Sequence, residues 1–222
     1  MQVWHEELAG RSRYNWIENF NHGFPIRHSR PDFEKTLEIG AGLGEHLEYE
    51  NLSPHQEKGY HCNELRENMA QSIRARFPNV KTVVADCQNV LPFSDGFFDR
   101  ILAIHVLEHL NDLPGCVREL SRLIHKERGQ LLVVLPTEGS PAYSLARKVS
   151  AERAWNRLFG GGYEEFYKRE HINVIAEVLE ELHPYFEMQK RVFFPFPFIH
   201  AELCNLVGGF RFVPRKTQNG TP

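Results

Sequence analysis

Long apolar runs are missing from this 222-residue sequence. None approaches the about 18 residues that a bilayer-spanning helix needs, so no membrane-crossing segment is expected. A cationic excess is missing too: 26 Lys and Arg stand against 29 Asp and Glu, for a formal net charge of -3. Without a basic stripe there is no electrostatic reason to expect a nucleic-acid partner. Cysteine is sparse, with only Cys62, Cys87, Cys116 and Cys204, and no C-x-x-C pair. Reduced thiols in a cytoplasmic protein fit this better than a disulfide framework. The opening MQVWHEELAGRSRYN lacks the apolar core of a secretory leader, so none is expected. Internal repeats and low-complexity tracts are also lacking.

What remains has the balance of a globular protein, 41% hydrophobic and 25% charged. Residues 1–30 are polar and aromatic and suit one or two short helices, a candidate lid. Short apolar strands then follow at 35–39, 59–63, 80–85, 97–105 and 129–135. Helical patterns lie between and after them at 43–49, 65–77, 112–126 and 142–159, with 53–58 as a loop. Alternation of this kind means βαβ units and a parallel sheet, and strands without polar alternation are covered on both faces. Past residue 160 the rhythm changes. Asn173 can cap a helix over 174–182, and strands at 185–198 and 207–213 suit an antiparallel pair closing the sheet. The expected organisation is an N-terminal segment over 1–30, a main domain over 31–213 and a frayed tail over 214–222.

In such sheets ligands bind beyond the C-terminal strand ends. The first strand runs into LEIGAGLGEHL, with Gly40, Gly42 and Gly44 at alternate positions. Glycines at a strand-to-helix turn let the backbone approach a ligand and present free N–H groups. The dinucleotide fingerprint G-x-G-x-x-G needs its third glycine at position 45, which is Glu45. That counts against a nicotinamide-dependent oxidoreductase, although it stays a rival.

With Glu38 ahead of the glycines, the loop E-x-G-x-G-x-G resembles that of class I S-adenosylmethionine-dependent methyltransferases of the type 11 group. The second strand ends in YHCNEL and the third in ADCQNVLPFSDGFFD, and IHVLEHL follows the fourth. All three match the family in order and spacing, over about residues 35–136. The resemblance implies a Rossmann-like, doubly wound, seven-stranded sheet of order 3-2-1-4-5-7-6, mostly parallel, with strand seven antiparallel and helices on both faces. It implies that Glu38, Gly40, Ala41, Gly42 and Gly44 cradle the methionine end of S-adenosyl-L-methionine, and that the product is S-adenosyl-L-homocysteine. Glu64, with Leu65, would grip the ribose, since an ionised carboxylate offers two acceptor oxygens. Asp86 and the Cys87 amide would meet the adenine.

His105, Glu108 and His109 also spell H-x-x-E-H, a zinc-peptidase pattern that needs one continuous helix. Here His105 ends a strand and the next helix starts near Asn111, so no metal site is expected. His105 is expected instead to line the cofactor pocket and to orient a substrate or act as a base, with His109 near the substrate.

Methyl transfer from a sulfonium is an in-line displacement that mainly needs alignment and exclusion of water. The fold alone therefore names no acceptor; a small molecule or a glycan- or lipid-linked group is expected. Acceptor residues are sought at Arg11, Arg13, Tyr14 and Trp16 and in GGGYEEFYKREH, where Tyr163, Tyr167 and the candidate base His171 lie. Lys168, Arg169 and Glu170 are read as a solvated run. RVFFPFPFIH, residues 191–200, carries four Phe and two Pro. It suits a strand breaking into a packed apolar loop, with a substrate wall, a peripheral membrane contact or a homodimer face as alternatives. A non-catalytic cofactor-binding subunit is the remaining rival.

Overall fold

The computed structural model describes residues 15–199 and 202–216. Seven strands form one sheet: β1 Thr36–Ile39, β2 Tyr60–Glu64, β3 Lys81–Val84, β4 Arg100–Ile104, β5 Gln130–Pro136, β6 Phe186–Phe194 and β7 Val207–Pro214. Their order is β3-β2-β1-β4-β5-β7-β6. The first five are parallel, while β7 runs antiparallel between β5 and β6.

The helices are α1 Asn15–His28, α2 Pro54–Lys58, α3 Glu67–Arg76, α4 Leu113–Leu123, α5 Pro141–Val149, α6 Ala151–Phe159, α7 Tyr163–Glu170 and α8 Ile175–Leu182. β1, β2 and β5 are buried along their whole length. Side chains alternate across such strands, so β5 feeds two cores at once. Leu131, Val133 and Leu135 face α4 and α8, while Leu132 and Val134 face the side holding Phe20 and Phe24 of α1 and Ile73 of α3. This is why these strands read as continuous apolar runs rather than alternating ones.

Several boundaries differ from the sequence pattern. The helix expected over 43–49 shrinks to a 3-10 turn, His46–Glu48. Residues 53–58, read as a loop, hold α2, because Ser53 and Gln56 form a reciprocal capping box with Pro54 at the first turn. The single helix expected over 142–159 breaks into α5 and α6 at Ser150, whose hydroxyl bonds back to the Ala146 carbonyl. Asn173 does not cap α8. Its amide donates to the carbonyls of Leu107 and Leu110, at 3.0 and 2.8 Å. The apolar stretch after β6 divides: Phe193 is buried and Phe194 stacks on Phe20, whereas Phe198 stands exposed.

α1 reaches the sheet through a missing side chain. Phe24 is fully buried, and a Cβ on Gly209 of β7 would sit 2.5 Å from its ring. Gly209→Val therefore forces the helix off the sheet. Overpacking of this kind costs about 1–3 kcal/mol, read as a lowered denaturant midpoint. An unchanged midpoint would mean that α1 is not seated there. Arg11, Arg13 and Tyr14 lie outside the described residues.

Candidate functional site

The C-terminal ends of β1, β2 and β4 stand level, with Ile39 beside Asn63 and Ala103. The chain leaves β1 through Gly40 and Gly42, whose φ values are +59° and +60°. L side chains rarely adopt this region, and a Cβ on Gly40 would lie 2.5 Å from Val106 Cγ2. The turn thus has to be glycine, and its bare backbone faces a cavity of about 530 Å³. That volume suits a small molecule or a cofactor, whose sites run about 300–1,000 Å³.

Glu64, at the end of β2, lines this cavity and is 6% exposed. One carboxylate oxygen accepts the Gly42 N–H and the other the Arg66 N–H, both at 3.0 Å. Each oxygen has about two lone-pair sites, so one per oxygen remains for a ligand. Asp86 and Cys87 line the same cavity. The Asp86 carboxylate accepts the Gln88 backbone N–H at 2.9 Å and its side-chain amide at 3.0 Å. Leu65 is an exposed part of the rim.

Three of the expected cofactor residues shape the turn without facing the cavity. Glu38 is buried behind it and accepts the Tyr60 hydroxyl at 2.7 Å. The Ala41 N–H donates to the Asn63 carbonyl. Gly44 abuts Phe77. Glu45, where the dinucleotide fingerprint needs glycine, folds back to accept the Leu43 N–H at 2.8 Å.

A second cavity, of about 270 Å³, adjoins the first. His105, Pro136, Tyr143, Ala151 and Tyr163 line both, so they form the seam between them. The far wall of the second comes from Ile17, Glu18 and Asn21 of α1. His105 is the one non-glycine residue with positive φ among the described residues, at 53°. That backbone turns its ring off the end of β4 and into the seam.

The histidines form a row with carboxylates. His105 Nδ1 lies 3.3 Å from Glu108 Oε1, and His109 Nε2 lies 3.8 Å from the same oxygen. Burial lowers the His105 pKa, but the Glu108 carboxylate outweighs it, so the net shift is upward. Burial raises the Glu108 pKa, and His105 and His109 bring it below the ordinary value. The His109 ring meets the His171 ring edge-on at 4.6 Å. His171 pairs through Nδ1 with Glu138 and stacks on Tyr167. Three sequence-predicted histidines thus share one wall of the first cavity. His105 and His109 sit on a strand end and in the 3-10 turn Leu107–His109 rather than on one helix. Among the described residues no three His, Cys, Asp or Glu side chains converge as metal ligands do.

Sequence reasoning missed Glu138, Tyr143 and Arg147. Glu138 comes just after β5, where the strand-end rule points. Burial, with Glu138 nearby, holds the Tyr143 and Tyr167 hydroxyls well above the usual tyrosine range, so both are hydrogen-bond donors at neutral pH. LPFSDGFFD, residues 91–99, is held in place by structural bonds. Asp99 accepts the Glu34 and Lys35 N–H groups and fixes the entry to β1, while Asp95 pairs with Arg122 at 2.7 Å.

Comparison with known proteins bears on this architecture. Residues 37–133 match the family model described as a methyltransferase domain. Malonyl-[acyl-carrier protein] O-methyltransferase of Erwinia pyrifoliae is 30% identical over 139 residues, 60% of this chain and 47% of that protein. Ajmaline N-methyltransferase of Rauvolfia serpentina is 32% identical over 90 residues, 39% of this chain and 31% of that one. The chain spans less than half the length of the curated relatives it matches. The crystal structure of N-methyltransferase NodS from Bradyrhizobium japonicum, in complex with S-adenosyl-L-homocysteine, superposes with a TM-score of 0.65 at 16% identity, covering 97% of this chain and 98% of that one. At that identity the likeness speaks for the fold.

Proposed function

We propose that this chain, whose residues 37–133 match the methyltransferase-domain family model, is a class I methyltransferase that moves a methyl group from S-adenosylmethionine to a small acceptor. The observation that carries this reading is the seam: His105 lines both the glycine-walled cavity and the one behind it. A donor in the first and an acceptor in the second would meet there.

The donor fits the residues present. Gly40 presents bare backbone to the first cavity, and Glu64 keeps one free acceptor site on each oxygen for a ribose diol. Gly40 and Gly42 would hold the methionine end, and Asp86 with Cys87 the adenine end. Bound there, S-adenosylmethionine supplies a methyl group already activated by its sulfonium charge.

The chain's own part is to position, to exclude water and to move one proton. His105, held toward its protonated form by Glu108, orients rather than accepts a proton. His171 is the better base. With Nδ1 turned to Glu138, its Nε2 carries the lone pair that can take a proton from an acceptor hydroxyl or ammonium. Tyr143 and Tyr163 close the seam against solvent. Small-molecule acceptors suit the about 270 Å³ second cavity better than large ones.

Calorimetry with S-adenosylhomocysteine and with NAD(P), followed by transfer of labelled methyl to a panel of hydroxyl and amine acceptors, tests the reading. Binding of NAD(P) alone would reject it. Binding of the donor product without transfer to any acceptor would favour a non-catalytic subunit. His171→Ala should lower turnover by about 100-fold or more while sparing product affinity, and full turnover would remove it as the base.

A further inference from the structure

We propose that Arg147 is an anion anchor, so that the acceptor carries a carboxylate or phosphate group held in the second cavity. Arg147 lies on α5, lines that cavity, and its side chain is 9% exposed. Its guanidinium lies over the Tyr167 ring, 3.9 Å from the centroid, with Tyr163 at 5.4 Å. Nη2 reaches the half-exposed Glu164 carboxylate at a long 3.5 Å. Nη1 is buried and meets no acceptor at full hydrogen-bond geometry, with the Tyr163 hydroxyl standing beside the guanidinium.

An arginine cannot shed its charge, so a buried guanidinium must be satisfied by an acceptor or stay costly. Native proteins leave few buried donors unmade, and each asks for a reason. Arg211 also buries an Nε without a hydrogen bond, but it lines neither cavity. Arg147 differs in facing a space large enough for a ligand. The Tyr167 ring holds the fork by stacking, and with Nη2 on Glu164 and the Tyr163 hydroxyl alongside, Nη1 keeps donor capacity toward the cavity, an arrangement suited to oxyanion recognition.

The opposite wall limits what fits. Glu18 of α1 lines the same cavity and is tied to His22 at 3.3 Å. An anion must therefore sit toward α5, with a neutral or hydrogen-donating part toward α1. The shared aromatic wall of Tyr143 and Tyr163 favours a flat or apolar body between them. The acceptor class is thus a compact aromatic or apolar molecule with one oxyanion.

This inference rests on the methyltransferase reading for calling the ligand an acceptor; the anion site itself does not. Benzoate, phenyl phosphate and the neutral benzamide serve as probes, titrated by ligand-observed NMR with and without S-adenosylhomocysteine. Benzoate or phenyl phosphate should bind the wild type more tightly than benzamide. Arg147→Gln should weaken the preferred anion about 10- to 100-fold, the worth of a hydrogen-bonded charge. Arg147→Lys should restore part of the loss, and benzamide binding should not move. A preference for phenyl phosphate would name a phosphorylated acceptor, and one for benzoate a carboxylic acid. No preference for anions in the wild type, or equal anion binding in Arg147→Gln with unchanged unfolding, would overturn the proposal. Should Arg147→Gln prove unfolded, the wild-type contrast and Arg147→Lys decide it. Failure of S-adenosylhomocysteine to bind would strike the methyltransferase reading and leave the anion contrast standing.

Discussion

Glu64→Ala is expected to weaken S-adenosylhomocysteine binding by about 100-fold or more, read by calorimetry. Hydrogen bonds to a charged group are worth about 1.5–3 kcal/mol each, and about 1.4 kcal/mol is tenfold. The carboxylate acts twice. In the proposed function it would offer a ribose diol its two remaining acceptor sites, and it ties the Gly42 and Arg66 amides into one rim. Alanine removes both the grip and the tie, so the glycine turn loses its register with the end of β2. Glu64→Gln keeps one acceptor oxygen and should cost about tenfold. Wild-type affinity in Glu64→Ala would detach the ribose from β2 and with it the orientation of the donor.

The second large effect concerns stability and pH. Glu38 lies under the glycine turn, 4% exposed. Burial, countered in part by the Tyr60 hydroxyl and reinforced by Glu45 and Glu50, pushes its carboxyl up to about 8. The unfolded chain releases that proton near the ordinary carboxylate value, about 4.3. Between these two values the native state holds a proton that the unfolded state has lost. Stability from this group therefore falls as pH rises from about 4.5 to 8, and the deficit is complete above 8. Each tenfold change in proton affinity is about 1.4 kcal/mol, so the deficit is on the order of a few kcal/mol. Glu38→Gln mimics the protonated form and cannot ionise. It should match the wild type near pH 4, exceed it increasingly up to about pH 8, and hold a constant advantage above that in denaturant midpoints. Parallel profiles in the two proteins would mean that Glu38 is already ionised when folded.

The strands were legible because both sheet faces are covered. A strand such as β5, buried at every position, leaves an unbroken apolar run that no surface element imitates. The glycine turn was legible for a local reason, since only glycine tolerates the φ of +59° at Gly40 beside Val106. The seven-strand order came from resemblance and matches the sheet, although no local pattern specifies it. Other features were hidden because they belong to pairs far apart in the chain. Glu138 and His171 meet only after α5, α6 and α7 have folded back. Glu38 looks like a ligand residue in sequence, and only the fold shows it buried beneath the turn and accepting the Tyr60 hydroxyl. The break at Ser150 depends on a hydroxyl bond to one carbonyl that residue type alone does not specify.

The route from β5 to α8 is fastened at both ends. At its start the Thr137 N–H donates to the Leu206 carbonyl at 3.0 Å. At its end the Ile172 and Asn173 N–H groups donate to the Glu108 carbonyl, at 2.8 and 3.0 Å. Between these clasps lie α5, α6 and α7, with Arg147, Tyr163 and His171. Because the clasps bind main chain to main chain, they are indifferent to most side chains between them. Substitutions in that stretch are therefore expected to leave the glycine turn, Glu64 and the sheet beneath in shape.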